Sequence, residues 1–289
     1  MSELDKELCR LIRERSEDIF LIDYENLDNL FTYRLTPKAT NRLELNIKDF
    51  YESVDETKEI TIGYLKYRKI TVLDEDSEVV RTWPVFRCLF VEFLIGEENF
   101  IFFKGKWYVI DENYLASLRS FIQRYEVEVD FLTPWNGVDS EEDFNNQIAV
   151  ELNGQCWDRK LYYTDLYSYG IEFCDVLSTD HIYHVKKYTG SQLTSHLLMQ
   201  TTVSAQLMNS DKDIRNWINI KVEEDFGGDN LILNDDLTLR NNDIEYFILL
   251  MSQRDGLLSN ILPFFTLITM HLTIKRIVQL GFSVRVGKI

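Results

Sequence analysis

Residues 171–187, IEFCDVLSTDHIYHVKK, contain the pattern that decides the predicted fold. Two runs rich in β-branched and aromatic residues lie on either side of a Ser-Thr-Asp turn, which indicates two neighbouring strands. Asp175 lies near the end of the first run, and His184 and Lys186 lie two positions apart in the second. Residues two apart on a strand share one face of the sheet. We therefore expect His184 and Lys186 to point together toward Asp175.

Helices and strands alternate in the rest of the second half. Asp139-Ser140 is a helix-capping pair, Asn153-Gly154 is a typical helix end, and Pro263 and Gly281 delimit another helix. The predicted order is α-β-β-β-α-β-α-β, with helices starting near 139, 191 and 263 and strands over 160–164, 171–177, 182–188, 246–251 and 282–286. A helix, three strands, a helix and a further strand is the αβββαβ core order of PD-(D/E)XK nucleases.

The first half is predicted to be rich in β-strands. The turn-forming loop Thr133-Pro134-Trp135-Asn136-Gly137 separates it from the second half, so we place the domain boundary there. The predicted fold class is α+β, with a β-rich acidic domain over 1–135 and an α/β PD-(D/E)XK nuclease-like domain over 136–289. The expected elements of the first domain are a helix over 3–15, strands over 43–47, 59–67, 69–73 and 85–95, and a hairpin over 100–110.

The chain is strongly acidic, with 48 Asp and Glu against 31 Lys and Arg and a formal net charge of −17. Residues 1–150 carry 31 acids and 18 bases, a net −13, and residues 151–289 carry 17 acids and 13 bases, a net −4. This balance excludes a generally basic surface for nucleic-acid backbones and leaves a local basic site in the second half. Hydrophobic residues make up 45% of the chain, which is enough for a packed core.

Cysteine spacing and hydropathy indicate the compartment. The four cysteines form no CxxC pair, so the sequence predicts no zinc site. The first twenty residues are charged and contain no apolar run of the kind found in signal peptides. The most apolar stretch, 257–272, is short for a membrane span and contains polar residues. We expect a soluble cytoplasmic protein with reduced thiols and no membrane partner.

Asp175, His184 and Lys186 are the predicted catalytic residues. In PD-(D/E)XK nucleases an Asp on one strand and the acidic residue of a (D/E)-x-K tripeptide on the next bind a divalent metal. The Lys of that tripeptide contacts the phosphate. Asp175 and Lys186 match this pattern, whereas His184 stands at the acidic position. The predicted cofactor is Mg²⁺ or Mn²⁺, with selectivity altered by the imidazole, which suits Zn²⁺ or Mn²⁺ better than Mg²⁺.

A metal site here needs further ligands. Glu151, on the helix before the strands, is predicted to bind the metal together with Asp175 and His184. Glu172 is an alternative, but in a continuous strand it would lie on the opposite face from Asp175. Contacts with the nucleic-acid backbone are predicted for Arg159, Lys160, Lys187 and Ser191.

Other interpretations of the same residues stay open. His184 also fits a hydrogen-bonded strand histidine, and Lys186 and Lys187 fit a solvated strand edge. An HxKxxxxD phospholipase motif begins at His184, but Ser191 stands where its Asp is required. The chain contains neither a GxSxG elbow nor a glycine-rich nucleotide-binding loop.

A longer set of motifs resembles a known bacterial family. The motifs are DRKL at 158–161, IEFCDVL at 171–177, HVKK at 184–187, GSQLTSHL at 190–197, VSAQL at 203–207 and LPFF at 262–265. They are similar to the signature of the "sporadically distributed" family of bacterial defence islands, whose biochemistry is largely unassigned. The resemblance extends from about residue 83 to residue 289.

The resemblance implies a bacterial anti-phage defence protein that is nuclease-like. We expect it to bind DNA or RNA phosphodiesters and to cleave them with a divalent metal. The expected partners are nucleic acid, with DNA favoured, a partner protein of a defence system, and a further copy of the chain. The alternative functions are a non-catalytic nucleic-acid-binding sensor and a protein-interaction subunit that docks through its acidic N-terminal half.

Overall fold

The computed structural model describes residues 2–16, 18–23, 31–37, 39–43, 45–55, 58–96, 98–164, 167–178, 181–188, 191–226 and 244–289. Over these residues the chain mixes helices with several β-sheets, in agreement with the predicted α+β class. It divides into two compact units, Met1–Tyr114 and Leu115–Ile289. None of the helices in this described part combines the length and the apolar composition needed to cross a bilayer.

The first unit contains short helices and two antiparallel sheets. Its helices are α1 (Glu3–Arg13), α2 (Ile47–Ser53), α3 (Ile62–Tyr67) and α4 (Val85–Cys88). Its strands are β1 (Ile19–Leu21), β2 (Thr32–Arg34), β3 (Lys69–Leu73), β4 (Val79–Pro84), β5 (Leu89–Ile95), β6 (Glu98–Phe103) and β7 (Lys106–Val109). The strand orders are β1-β5-β6-β7 and β2-β3-β4.

Local signals explain one success and one error in this unit. The predicted hairpin is confirmed as β6–β7, because Lys104 and Gly105 both adopt the positive φ values of a tight turn, 49° and 78°. The predicted strand over 59–67 is wrong, because most of it forms helix α3. Thr61 caps that helix by accepting a hydrogen bond from the Tyr64 amide at 3.1 Å.

The second unit contains a six-stranded sheet, a separate hairpin and several longer helices. Its helices are α5 (Glu112–Gln123, starting just before the unit), α6 (Glu141–Glu151), α7 (Ser191–Ser210), α8 (Lys212–Phe226), α9 (Leu258–Ile261) and α10 (Phe264–Gln279). Its strands are β8 (Glu126–Glu128), β9 (Gln155–Cys156), β10 (Leu161–Thr164), β11 (Tyr167–Glu172), β12 (Val176–Leu177), β13 (His181–Lys187), β14 (Glu245–Met251) and β15 (Ser283–Lys288).

The large sheet has the order β8-β15-β14-β13-β12-β9. Strands β13, β14, β15 and β8 are mutually parallel, while β12 runs antiparallel to both β13 and β9. The hairpin β10–β11 leaves the sheet after β9 and returns before β12. Apart from the hairpin β10–β11 and helix α8, the elements of this region follow the chain order α6, β9, β12, β13, α7, β14.

The two faces of the sheet are covered by different helices. Tyr183 and Val185 of β13 share a buried cluster with Phe144 and Ile148 of α6. On the other face, the hydroxyl of Tyr246 in β14 lies 3.5 Å from the Ser204 hydroxyl of α7. Because strand side chains alternate, His184 faces α7 while its two neighbours face α6.

The predicted continuous strand over 171–177 is wrong. Strand β11 ends at Glu172 in the hairpin, and β12 begins at Val176 in the large sheet. The intervening Phe173 and Cys174 are consecutive and both fully buried. Phe173 packs against Trp157 with their ring centroids 6.0 Å apart. The chain therefore turns inward between two sheets at this point.

The division into units lies earlier than the predicted boundary at residue 135. Strand β8 pairs with β15, so the segment after Tyr114 contributes an edge strand to the large sheet. Val129 and Leu132 continue this segment into the buried cluster that contains Phe144. The loop over Thr133–Gly137 lies within the second unit and does not coincide with the division between the two units.

Candidate metal centre

Three carboxylates meet where the hairpin joins the large sheet. Asp158 follows β9, Glu172 ends β11, and Asp175 precedes β12. One oxygen from each lies within 4.8 Å of the others. Asp175 is buried, and the other two are partly buried. The two ends of the hairpin thus bring together residues that are up to seventeen positions apart in the sequence.

Backbone hydrogen bonds hold the three residues in this arrangement. The amides of Trp157 and Asp158 donate to the Asp175 carbonyl at 2.7 and 3.2 Å. The Asp175 amide donates to the Tyr183 carbonyl of β13 at 3.0 Å. Trp157 has no solvent exposure, so the segment that carries Asp158 is anchored in the core. The positions of these carboxylates are therefore determined by the packing of the sheet.

Glu172 is held by two donors. Its Oε1 accepts from the Arg159 amide at 2.7 Å, and its Oε2 accepts from Gln200 Nε2 on α7 at 2.9 Å. Burial raises the pKa of Glu172, the Arg159 amide opposes that effect, and repulsion from Asp158 raises the pKa further. Arg159 itself adopts the left-handed conformation, with a φ of 64°.

The pKa of Asp175 is strongly raised. Burial raises its pKa to about 8, although the Val185 amide donates to its Oδ2 at 2.8 Å and favours the ionised form. Nearby Glu172 and Glu141 raise the pKa as well, while Lys186 lowers it. Three carboxyl groups this close repel one another unless a proton or a cation lies between them.

The ligand atoms suit a hard divalent cation. Mg²⁺, Mn²⁺ and Ca²⁺ prefer oxygen ligands, and carboxylates are their usual protein donors. The three carboxylates offer several oxygen atoms around one point, and each carboxylate oxygen retains lone pairs beyond those used by backbone amides. The arrangement is able to bind one such ion.

His184 lies behind this cluster, inside the protein. Its side chain is fully buried, and its Nδ1 lies 4.0 Å from Asp175 Oδ2. Burial lowers its pKa to about 3, so the ring is neutral. Neither ring nitrogen has a hydrogen-bond partner among the described residues. It is outside the group of close ligand atoms, which in the described chain comprises the three carboxylates alone.

Lys186 lies near Asp175 but is engaged by a glutamate. Its Nζ is 2.5 Å from Glu141 Oε1, and the Lys187 amide donates to Glu141 Oε2 at 3.1 Å. The Lys186 charge is still close enough to lower the pKa of Asp175. Glu141 begins α6 directly after the Ser140 cap. The structure thus places Lys186 within electrostatic reach of Asp175, while its ammonium group is paired with Glu141.

Glu151 lies apart from the cluster. Its Oε2 accepts from the Thr133 amide at 2.9 Å and its Oε1 from Gln147 Nε2 at 2.9 Å. Both hydrogen bonds lower the pKa of Glu151, and the bond with Gln147 has the larger effect. Glu151 ends α6 on the surface, and it is absent from the group of close ligand atoms found in the described residues. Glu141 at the other end of the helix is the one that approaches Asp175.

Several of the residues predicted to contact nucleic acid have partners within the protein. Arg159 forms an ion pair with Glu142 of α6 at 2.9 Å. Lys160 lies over the ring of Trp157, with its Nζ 5.2 Å from the centroid, and Lys187 lies over Trp135 at 4.7 Å. Ser191 begins α7, and its side chain lies outside the described residues.

The sequence did not indicate Asp158 as a metal ligand, and it predicted that Glu172 and Asp175 lie on opposite faces of one strand. Glu172 and Asp175 do not share a strand, so the alternation rule does not apply between them. Asp158 belongs to the DRKL motif, which contributed to the family resemblance but did not by itself indicate a metal ligand. Glu141 stands in the first turn of α6, next to the recognisable Ser140 cap.

Comparison with known proteins identifies a family without a described activity. A family model described as "Family of unknown function (DUF6119)" matches residues 1–289. No curated protein and no solved structure matches the chain. The match agrees with the expectation of an uncharacterised family and says nothing of defence islands or nuclease activity. Because the model covers its whole length, the chain belongs to the DUF6119 family of proteins of unknown function.

Proposed function

We propose that this protein is a metal-dependent nuclease-like enzyme that hydrolyses DNA or RNA phosphodiesters in bacterial anti-phage defence. The single observation that carries the proposal is the cluster of Asp158, Glu172 and Asp175 with Lys186 in electrostatic reach. Carboxylates that bind a divalent cation beside a lysine are a common arrangement for chemistry at phosphate groups.

The carboxylates would hold Mg²⁺ or Mn²⁺. When bound, the metal would polarise the phosphate and lower the pKa of a coordinated water. Within the protein, the Val185 amide orients Asp175, and the Arg159 amide and Gln200 orient Glu172. These contacts fix the ligands before the ion arrives, which limits the entropy lost on binding.

Lys186 would supply positive charge to the phosphate. In the ligand-free chain it is paired with Glu141, and both side chains remain partly exposed. A phosphate oxygen entering beside the metal would compete with Glu141 for the ammonium group. Glu141 therefore sets how readily Lys186 becomes available to substrate.

The order of elements is a second line of support. Apart from the hairpin and helix α8, the order of elements resembles the αβββαβ order of PD-(D/E)XK nucleases, with α6, β9, β12, β13, α7 and β14 in those places. Strand β12 is antiparallel to both its neighbours, and β14 is parallel to β13. Asp175 directly precedes β12, and Lys186 lies on the adjacent β13. The defence role rests on the motif resemblance described above.

Cleavage of supercoiled plasmid, single-stranded DNA and RNA in Mg²⁺ or Mn²⁺ tests the proposal. We expect cleavage that chelation abolishes and that Asp175→Asn and Lys186→Ala each slow by about 10²–10³-fold. Glu151→Gln is the matched control, because Glu151 is a glutamate of the same unit that lies outside the cluster. Absence of cleavage of every substrate with either metal would reject the activity. Equal losses in Glu151→Gln and Asp175→Asn would reject the assigned site.

A non-catalytic nucleic-acid-binding sensor, or a protein-interaction subunit, is the second candidate. It is favoured by the pairing of Lys186 with Glu141 and of Arg159 with Glu142, which places acidic groups beside the predicted phosphate contacts. A sensor would bind DNA or RNA without cleaving it, and Lys187→Ala would weaken salt-dependent binding. Co-purification of a stoichiometric protein, without nucleic-acid binding, would favour the interaction subunit.

A further inference from the structure

His184 is a buried polar residue whose ring lacks hydrogen bonds. The side chain has 0% exposure, and neither Nδ1 nor Nε2 has a partner among the described residues. A neutral imidazole always carries one donor and one acceptor nitrogen. Buried polar groups without partners are rare in folded proteins, so such a residue calls for an explanation.

The ring is held in place with one nitrogen toward Asp175. It stacks on Tyr246 with a centroid distance of 6.1 Å and an interplanar angle of 6°. The Tyr246 hydroxyl in turn lies 3.5 Å from the Ser204 hydroxyl of α7. His184 Nδ1 is 4.0 Å from Asp175 Oδ2, the same oxygen that accepts from the Val185 amide at 2.8 Å.

His184 is poorly placed to touch an ion or a substrate. The close group of ligand atoms in the described chain consists of carboxylate oxygens of Asp158, Glu172 and Asp175, and the imidazole is not part of it. Complete burial separates the ring from any molecule in solvent. The described approach of His184 to the cluster is through Asp175.

We propose that His184 is a positioning residue whose Nδ1–H donates to Asp175 Oδ2 when Asp175 binds the metal. This inference rests on the proposed metal centre. The present separation of 4.0 Å exceeds a hydrogen bond by about 1 Å, so the proposal requires the two side chains to approach by that distance when the metal binds. With the Val185 amide, the contact would give Oδ2 two donors and turn the second oxygen toward the ion. Partners of this kind orient metal ligands and raise metal affinity by about 10–100-fold.

Metal affinity of the full chain, measured by calorimetry with Mn²⁺ alone, tests the role without requiring catalysis. His184→Asn places an amide nitrogen near the position of Nδ1, whereas His184→Gln places one near Nε2. We expect His184→Asn to bind Mn²⁺ within about threefold of the wild type and His184→Gln and His184→Leu to bind about 10–100-fold more weakly. Equal affinity of His184→Leu and the wild type, or equal weakening in His184→Asn and His184→Leu, would overturn the assignment.

Nitrogen NMR of the histidine-labelled wild type gives a readout that does not depend on a variant folding. The expected signature is a neutral His184 ring with its proton on Nδ1 in the Mg²⁺-loaded protein. A ring with its proton on Nε2 in the Mg²⁺-loaded protein would overturn the proposal. A wild type that binds neither metal would reject the metal centre, and with it this inference. Metal binding that is indifferent to His184 would reject this inference alone.

Discussion

Replacing Asp175 by Asn is predicted to stabilise the metal-free protein at neutral pH while abolishing metal binding. Asp175 is buried beside Glu172, and the Val185 amide donates a hydrogen bond to its carboxylate. Asn keeps an oxygen that accepts this bond and removes the negative charge. The substitution therefore tests whether the buried carboxylate lowers the free energy of unfolding of the metal-free protein while it allows a cation to bind.

The magnitude follows from the pKa of Asp175, which burial raises from an ordinary 3.8 to about 8. Because the folded-state pKa is the higher one, the folded protein binds the proton more tightly than the unfolded chain does. Stability therefore falls as the pH rises from about 4 to about 8. The interval from 3.8 to neutral pH corresponds to about 4 kcal/mol at about 1.4 kcal/mol per unit. That is a large part of the total stability of a typical protein, about 5–15 kcal/mol.

Urea unfolding in the presence of a chelator, repeated from about pH 5 to about pH 8, measures this effect. The wild type is expected to lose stability steadily over the range, and Asp175→Asn is expected to remove most of that slope. Glu151→Gln is the matched control, because this surface glutamate is hydrogen-bonded outside the cluster and its replacement leaves the slope in place. Addition of Mn²⁺ at about 100 times its Kd should stabilise the wild type by about 2.7 kcal/mol and leave Asp175→Asn unchanged.

Parallel pH profiles for the wild type and Asp175→Asn would refute the reasoning, because they would show that Asp175 ionises normally in the folded state. Equal stabilisation of both proteins by Mn²⁺ would show that the ion binds elsewhere.

Three further predictions concern individual contacts. Gly287→Ala would place a methyl group against the Val129 side chain at the large sheet, and urea unfolding should show a free energy of unfolding lower by about 1–3 kcal/mol. The control Gly63→Ala in helix α3 should leave this free energy unchanged or raise it. Glu126→Ala removes the carboxylate that accepts from the first amides of α9, and thermal unfolding should show a loss of about 1–3 kcal/mol that Glu126→Gln partly restores. Glu141→Gln releases Lys186, so under the proposed function the plot of log affinity for DNA against log salt should steepen by about 0.9; an unchanged slope would place Lys186 outside the phosphate site.

The strands near the candidate site could be predicted because their signals are local. The apolar run over 246–251 is confirmed as β14, and the alternating run over 182–188 is confirmed as β13 to within a residue at each end. The Asp139-Ser140 signal correctly marks the start of α6, since Ser140 accepts from the Asp143 amide at 3.1 Å. Each of these patterns depends on neighbours within one turn or one strand.

The choice of glutamate on α6 could not be predicted in the same way. Glu141 and Glu151 are ten residues apart, which is about 15 Å along a helix. Which end of α6 approaches Asp175 depends on how the helix packs over β13, and helical periodicity contains no information on that placement.

The sequence by itself determined the main strands, the cap of α6 and the presence of Asp175 and Lys186 on neighbouring segments, because hydrophobic period and capping chemistry act over a few residues. The tertiary structure alone decided that Asp158 and Glu172 join Asp175 and that His184 faces the interior. The chain leaves the sheet between β9 and β12 to form a hairpin, and the pairing of its strands together with the packing of Trp157 against Phe173 brings the three carboxylates close to one another. Contacts between such distant residues arise from packing, which no local pattern encodes.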